Sequence, residues 1–502
     1  MKRARQIYLG IDLGAASGRV VAGLWDGRKM TLDELHRFAN GPVCLAGTMR
    51  WDVLRFWTEI QNGLAVAGKK YGKKIVSTGA DTWGSDYVLL TKNGEIVSQP
   101  FHYRDSRTDG MMEKAFRKMP RAAIFSRTGA HFQPFNTLYQ LLAMKGQCPE
   151  LLGQADRLLL LPDFIHWCLC GSRVAEFTNA TTTQCLNPLK RKWDLELLKT
   201  MKLPAAIFPK LIPPGTELGT LRDSVAHRLD LGKIQVVAPA THDTASAVAA
   251  VPTTQSGRTN WAYISSGTWS LMGVEISKPC LSPRVLELNL TNEGGFGGTY
   301  RLLKNIMGLW LVQQCKRSFD ACGGQNSYDE LDRAAAGARP FRSLLNVNRP
   351  EFYNPPDMPG AIQDFCRETG QFVPKSKGEL IRCAYESLAL QYRQTLGWLE
   401  ELTGEHIEAI HIVGGGSQNR ILNQFAADAC QRPVLAGPVE TTVMGNLLVQ
   451  AWAAGEIGSL SEMREVIRCS SSITTCEPTD SDLWTKAADR FVQLQKEPAY
   501  FH

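Results

Sequence analysis

The residues best suited to chemistry lie in three short polar stretches, each of which follows an apolar run. Asp12 precedes a turn of small residues at 14–18, and His242-Asp243-Thr244 follow the apolar residues 234–238. A third stretch, Ser266-Gly267-Thr268, separates the apolar runs 261–265 and 269–274. Small-residue turns expose backbone amides that bind anions, and carboxylates can hold a cation or accept a proton. Together the stretches fit phosphoryl transfer, which needs a phosphate cradle, a carboxylate for the metal and a base.

Each of these stretches also has an ordinary structural interpretation. The turn after Asp12 is equally consistent with a simple hairpin whose acid is capped, because an isolated buried charge is too costly to leave unpaired. Thr241 or Asp243 could merely cap the helix predicted after residue 243, which is the commoner role for such residues at a helix start. The residues alone leave both pairs of alternatives open.

The elements that must position these residues point to an α/β fold. Residues 7–25 predict strand, tight turn and strand, and residues 261–274 repeat that arrangement about half the chain later. A chain of 502 residues is too long for one core. We therefore expect two similarly built domains facing one cleft, joined near the loop 252–257. Residues 303–313 predict a helix with a mostly apolar face, and residues 410–413 a strand that ends in three glycines.

Composition excludes several classes of protein. The net charge of +7 is modest, and the basic residues are scattered, so no nucleic-acid partner is expected. No apolar run reaches the roughly 18 residues of a membrane span, and no apolar segment typical of a signal peptide follows Met1-Lys2-Arg3. The 13 cysteines are an odd number without zinc-site spacing, so we expect mostly buried free thiols and a cytoplasmic location.

The chain resembles the FGGY carbohydrate kinases of the actin-like ATPase superfamily along nearly its whole length. The segments that carry the resemblance are Asp12-Leu-Gly-Ala-Ala-Ser-Gly-Arg19, Asp81-Thr-Trp-Gly84, Tyr103-Arg-Asp-Ser-Arg107, Pro134-Phe-Asn-Thr-Leu-Tyr-Gln140, Thr178-Asn-Ala-Thr-Thr-Thr-Gln184, His242-Asp-Thr-Ala-Ser-Ala247, Ser265-Ser-Gly-Thr-Trp-Ser-Leu-Met272, Thr291-Asn-Glu-Gly-Gly295, Leu303-Lys-Asn-Ile-Met-Gly-Leu-Trp310 and Ile412-Val-Gly-Gly-Gly416. The segments around Phe135, Thr181 and Asn305 point to the branch that acts on L-rhamnulose.

The resemblance implies two ribonuclease-H-like domains around a central cleft, with residues 1–247 binding sugar and residues 248–502 binding nucleotide. It implies transfer of the γ-phosphate of ATP to the 1-hydroxyl of L-rhamnulose. The chemistry of phosphoryl transfer predicts that Asp12 holds Mg²⁺ directly or through water. We expect a monomer or a small homo-oligomer. Asp243 falls at the position of the proton acceptor. The sugar-binding positions are Gly84, His242, Asp243, Thr244 and Asn305, and the nucleotide-binding positions are Ala15, Ala16, Ser17, Gly18, Arg19, Thr268, Gln313 and Gly415.

One departure bears on the nucleotide site, because Ala16 stands where relatives often have a hydroxyl residue. Two other functions stay open. The chain could phosphorylate another ketose, such as fuculose or xylulose, or it could be a non-catalytic ATP-binding protein of the actin-like superfamily. The second alternative needs no sugar base, so His242-Asp243-Thr244 favours a kinase.

Overall fold

The computed structural model describes residues 6–479 and 482–495, which form two compact units. Unit 1 comprises the described residues up to Gly257, together with Glu275–Leu302 and Thr441–Ser471. Unit 2 comprises Arg258–Val274, Leu303–Glu440 and the described residues from Ser472 onward. The boundary predicted after residue 247 stays a prediction. The segment used to predict the lack of a signal peptide, residues 1–3, lies outside the described residues.

The strands and helices alternate along the chain, as in a mixed α/β fold. The strands are β1 Gln6–Leu13, β2 Ser17–Trp25, β3 Met30–Ala39, β4 Val43–Leu45, β5 Thr48–Arg50, β6 Ile75–Thr82, β7 Tyr87–Leu90, β8 Arg157–Leu160, β9 Ala175–Glu176, β10 Leu186–Asn187, β11 Lys192–Trp193, β12 Leu211–Ile212, β13 Thr216–Thr220, β14 Gln235–Ala238, β15 Trp261–Ser266, β16 Trp269–Ile276, β17 Thr291–Gly294, β18 Tyr300–Met307, β19 Ala409–Val413, β20 Val434–Ala436 and β21 Thr474–Cys476.

The helices are α1 Val53–Tyr71, α2 Met111–Phe116, α3 Arg121–Thr128, α4 Thr137–Gln147, α5 Pro149–Gln154, α6 Leu161–Cys170, α7 Phe177–Ala180, α8 Leu195–Thr200, α9 Asp223–Arg228, α10 Asp243–Ala249, α11 Pro283–Glu287, α12 Trp310–Ala321, α13 Tyr328–Gly337, α14 Met358–Glu368, α15 Lys377–Thr403, α16 Arg420–Cys430, α17 Thr441–Ala453, α18 Leu460–Ser470 and α19 Asp482–Gln495. No helix in the described residues is long and apolar enough to cross a lipid bilayer.

Unit 1 is built on a six-stranded sheet in the order β13-β14-β6-β1-β2-β3. Successive side chains of a strand point to opposite faces, and β1 is buried on both. Its residues Ile7, Leu9 and Ile11 pack in one apolar cluster with α1, whereas Tyr8 packs in a second cluster with α17. Helices therefore cover both faces of this sheet, which explains why β1 reads as a continuous apolar run.

The parallel strands of this sheet bring polar residues to one edge. β1, β6 and β14 run parallel to one another, and Asp12 of β1 is in register with Asp81 of β6. Just beyond β14, His242 forms a parallel bridge with Thr82. Because the carboxyl ends of parallel strands lie at the same sheet edge, Asp12, Asp81 and Asp243 are brought together there.

In unit 2 the neighbouring strands are β18, β16, β15, β19, β20 and β21, in that order. The start of β18, residues 300–302, belongs to unit 1. The predicted strand–turn–strand arrangement at 261–274 is confirmed by β15 and β16, which pair antiparallel. The 27-residue helix α15 begins with a capping box formed by Ser376 and Glu379. It ends at Thr403, and its C-cap residue Gly404 has a left-handed backbone conformation.

Two sequence-based expectations are wrong in part. Residues 303–313 are not one helix, because β18 continues to Met307 and α12 begins only at Trp310. The apolar residues of this segment are part of strand β18, which lies beside β16 in the sheet. Asn305 therefore lies on a strand and not on a helix. All 13 cysteines are free, as expected, but only five are buried. The others are half-buried or exposed.

Candidate active site

The turn between β1 and β2 leaves backbone amides available to a ligand. The amide of Gly14 donates to the carbonyl of Ser17, and Asn40 donates to the carbonyls of Gly14 and Ala16. Within the described residues, no backbone hydrogen bond uses the amides of Ala15 and Ala16. Ala16 has no side-chain hydroxyl to bind a phosphate, but its backbone amide remains available, as a phosphate cradle requires.

Gly18 closes this turn for a steric reason. A Cβ atom at Gly18 would lie 2.3 Å from the ring of Phe38 and 2.7 Å from Leu13. The first strand pair can therefore pack only with glycine at this position.

Asp12 faces Arg19 across the β1–β2 ladder. Its Oδ2 accepts hydrogen bonds from Nε and Nη2 of Arg19 at 2.9 and 2.8 Å. No hydrogen bond formed by the described residues reaches its Oδ1, although the side chain is only 11% exposed. The pair neutralises the buried carboxylate through one oxygen and leaves the other available. The guanidinium of Arg19, predicted at the nucleotide site, is thus also the charge partner of Asp12.

Asp81 is a third carboxylate at the same edge, and it is completely buried. Its Oδ2 accepts a hydrogen bond of 2.6 Å from Nδ2 of Asn446, while its buried Oδ1 has no partner within the described residues. Burial raises the pKa of Asp81 well above its ordinary value, and the charges of Asp12 and Asp243 raise it further. This carboxyl therefore favours its protonated form.

Asp243 is the first residue of α10, and its N-cap is His242. Its Oδ1 accepts hydrogen bonds from the amide and hydroxyl of Thr244 and lies 3.4 Å from Nε2 of His242. The side chain is 30% exposed, so a substrate can reach it. Desolvation raises the pKa of Asp243, an effect that His242 and Thr244 oppose and Asp12 reinforces.

The turn that carries Asp243 is anchored from behind by a buried glutamate. Thr241 does not cap α10, because its amide and hydroxyl donate to Oε2 of Glu176 at 3.0 and 2.8 Å. Glu176 also accepts hydrogen bonds from the amide and hydroxyl of Thr178. These bonds fix the backbone immediately before His242.

Gly84, a predicted sugar-binding residue, lies two residues beyond β6. A Cβ atom at this position would lie 2.7 Å from Oγ1 of Thr182. The same hydroxyl accepts a hydrogen bond of 2.9 Å from the amide of Ser85. A glycine is therefore needed for the close approach of Thr182, whatever else it contacts.

In unit 2, three of the four predicted site residues gather around the turn between β15 and β16. Oγ1 of Thr268 donates to Oε1 of Gln313 at 3.3 Å. A Cβ atom at Gly416 would overlap the side chain of Ser266, whereas Gly415 faces open space. The fourth residue, Asn305, is not linked to these by any described hydrogen bond, and its buried Oδ1 lacks a partner among the described residues.

Residues 7–250 match the N-terminal domain of the FGGY family of carbohydrate kinases, and residues 262–454 match the C-terminal domain of that family. The chain belongs to the FGGY family. It is therefore a carbohydrate kinase, an enzyme that transfers a phosphoryl group to a sugar, as the motifs predicted.

Individual relatives of this FGGY kinase cover almost the whole chain. A rhamnulokinase from Bacteroides thetaiotaomicron is 42% identical over 97% of this chain and 99% of its own. A rhamnulokinase from Pectobacterium carotovorum is 46% identical over 91% of this chain and 90% of its own. Among solved structures, a gluconate kinase from Lactobacillus acidophilus covers 99% of both chains with a TM-score of 0.82 at 16% identity. The predicted fold class is confirmed by this likeness.

The residues of the FGGY kinase at the edge of the first sheet fit a magnesium ion held mainly by water. Within the described residues, no three His, Cys, Asp or Glu side chains are grouped as a metal site. Mg²⁺ usually needs only one or two carboxylates and keeps several waters. The free Oδ1 of Asp12 supplies such a ligand.

Two residues at this edge were not among the predicted site residues. Asp81 begins the segment Asp81-Thr-Trp-Gly84, and its position at the end of a strand beside β1 was the signal that could have marked it. Asn446, which binds Asp81 from α17, lies 365 residues away in the chain and had no signal of its own.

Proposed function

We propose that this FGGY kinase transfers the γ-phosphoryl group of ATP to the 1-hydroxyl of L-rhamnulose. The observation that carries the proposal is the identity of 42–46% to relatives named rhamnulokinase, over more than nine-tenths of the chain. The chemistry of Asp243 supports it, because a carboxylate that is partly exposed and oriented by its neighbours can act as a base.

In this mechanism Asp243 accepts the proton of the attacking hydroxyl. The hydrogen bonds from Thr244 fix its Oδ1, and the raised pKa makes it a better proton acceptor than an exposed aspartate. A general base of this kind contributes on the order of 10²–10⁴-fold to the rate. His242, Thr244, Gly84 and Asn305 would bind and orient the sugar.

The remaining predicted residues would bind ATP. The free amides of Ala15 and Ala16, with Ser17, Gly18 and Arg19, would hold phosphates in unit 1. In unit 2, Thr268, Gln313 and Gly415 would contact the nucleotide. Asp12 would hold Mg²⁺ directly or through water, and the ion, when bound, supplies positive charge that neutralises the transferring phosphates. Apart from the phosphate-binding turn at 15–19 and Asn305, residues 1–247 would bind the sugar and residues 248–502 the nucleotide.

A ketose panel tests the proposal. ADP release with L-rhamnulose, L-fuculose and D-xylulose would be measured at equal enzyme concentration, and the phosphorylated carbon would be assigned by NMR. We expect the highest kcat/KM for L-rhamnulose and a 1-phosphate product. Preference for another ketose would favour the second candidate substrate, and ATP binding without turnover on any sugar would favour the non-catalytic alternative.

A cytoplasmic location and a monomeric or small homo-oligomeric state stay predictions of the sequence.

A further inference from the structure

A buried ion pair lies behind the proposed base. Arg301 of β18 is completely buried, and its Nη2 lies 3.0 Å from Oε2 of Glu293 in β17. Its Nε donates to the carbonyl of Gly294 at 3.1 Å. Nη2 also forms a hydrogen bond of 3.0 Å with Nδ1 of His242, whose Nε2 lies 3.4 Å from Oδ1 of Asp243. One continuous chain of contacts therefore joins Glu293 to Asp243.

The contacts of His242 hold both nitrogens of its ring. Nδ1 lies between a donor and an acceptor, because Nη2 of Arg301 is 3.0 Å away and the carboxylate oxygen Oε2 of Glu293 is 3.2 Å away. Nε2 lies 3.4 Å from Oδ1 of Asp243, and an ionised carboxylate only accepts hydrogen bonds. The Nε2 proton therefore faces the carboxylate of Asp243.

Glu293 supplies the charge that keeps this guanidinium in place. Burial alone would raise the pKa of Glu293, but the neighbouring His242 and Arg301 lower it to about 2. The glutamate is therefore ionised at neutral pH. It also lies 3.2 Å from Nδ1 of His242, so it packs against both members of the contact.

We propose that Glu293 and Arg301 are positioning residues, which hold the ring of His242 at Nδ1 so that its Nε2–H orients the Asp243 carboxylate. This inference rests on the proposed function of Asp243 as the base. Neither residue touches the reacting atoms in this account. They act through the imidazole ring.

The expected kinetic signature is a loss of turnover with a shifted pH profile. The groups that face Glu293 are His242, Arg301 and His131, and those that face Asp243 are His242, Thr244, Asp12 and Asp81. His242 and Thr244 lower the pKa of Asp243. If His242 turns away, the acidic limb of the kcat/KM profile should move to higher pH.

The chain offers matched controls for the test variants. Arg464 and Glu275 form a second buried pair in the same unit, at 3.1 Å and with the same side-chain exposures of 0% and 5%. We would compare Glu293→Gln with Glu275→Gln, and Arg301→Lys with Arg464→Lys. The two Glu→Gln variants should lose a similar amount of thermal stability, and so should the two Arg→Lys variants. Only the first member of each pair should lose turnover, by roughly 10- to 100-fold, because small displacements of a catalytic group have effects of this order.

Nitrogen NMR of ¹⁵N-histidine-labelled enzyme supplies a readout that is independent of activity. The signals of His242 would be assigned by their loss in His242→Gln. We expect a protonated Nε2 in the wild type, and shifted His242 nitrogen signals in Glu293→Gln and Arg301→Lys but not in the controls. A wild-type ring with its proton on Nδ1 alone would overturn the inference even if no variant folds. So would shifted His242 signals with full turnover, or unchanged signals and pH profile in both variants.

The proposed function can fail separately from this inference. If the wild type phosphorylated no ketose, the assignment of substrate and base would fall. The tautomer measurement would still decide whether Glu293 and Arg301 fix the ring of His242.

Discussion

Replacement of Asp243 by asparagine isolates the proton-accepting role from the structural one. The amide has the same shape, and its oxygen can still accept the hydrogen bonds that Thr244 donates to Oδ1. It cannot accept the proton of a sugar hydroxyl at neutral pH. We therefore expect Asp243→Asn to fold normally and to bind ATP and sugar with affinities close to those of the wild type.

The expected loss follows from the value of a general base. A factor on the order of 10²–10⁴ in kcat corresponds to about 3–5 kcal/mol in activation free energy. Because the deprotonated carboxylate is the active form and its pKa is raised, wild-type turnover should fall on the acidic side at a pH above the ordinary range of aspartate. Asp243→Asn should lose this limb of the profile.

The assay is ADP release with saturating L-rhamnulose and ATP, with ATP affinity measured separately by calorimetry. Asp223→Asn is the matched control, because Asp223 is also the first residue of a short helix, α9, but is exposed. It should keep wild-type turnover. If Asp243→Asn kept turnover within threefold of the control, the assignment of the base would be wrong.

Three further variants test other parts of the site and fold. Asp12→Ala should raise the Mg²⁺ concentration needed for half-maximal turnover at least tenfold, and an unchanged metal requirement would make Asp12 purely structural. Asp81→Asn should stabilise the fold above about pH 4, because Asp81 ionises there in the unfolded chain but keeps its proton in the folded protein. The gain in unfolding free energy should grow by up to about 1.4 kcal/mol per pH unit until the pKa of Asp81 in the folded protein is reached. Chemical denaturation at several pH values would measure this gain, and a pH-independent difference would contradict it. Gly18→Ala should cost about 1–3 kcal/mol of unfolding free energy, because the new methyl group overlaps the ring of Phe38; wild-type stability in urea denaturation would refute this steric account.

The sequence predicted the elements whose signal is local. The strand–turn–strand units at β1–β2 and β15–β16 and the long helix α15 follow from apolar runs, small-residue turns and helix caps. The prediction for residues 303–313 failed because short apolar runs fit a strand or a helix equally well, and sheet pairing decided between them.

Individual residues of the site could be predicted from the sequence, but the contacts between distant residues could not. Asp12 and Asp243 could be singled out from their places beside turns. The contact between Arg301 and His242 joins residues 59 apart in sequence, and that between Asn446 and Asp81 joins residues 365 apart. Such pairs depend on sheet register and helix packing, which no local pattern in one sequence encodes.

The central claim concerns one distance, that between the carboxylate of Asp243 and the sugar hydroxyl that is phosphorylated. A crystal structure with L-rhamnulose and a non-hydrolysable ATP analogue measures it directly. We predict a hydrogen bond of about 2.6–3.2 Å between an Asp243 oxygen and the 1-hydroxyl. A sugar bound with its 1-hydroxyl against another side chain, and with Asp243 out of reach, would contradict the account.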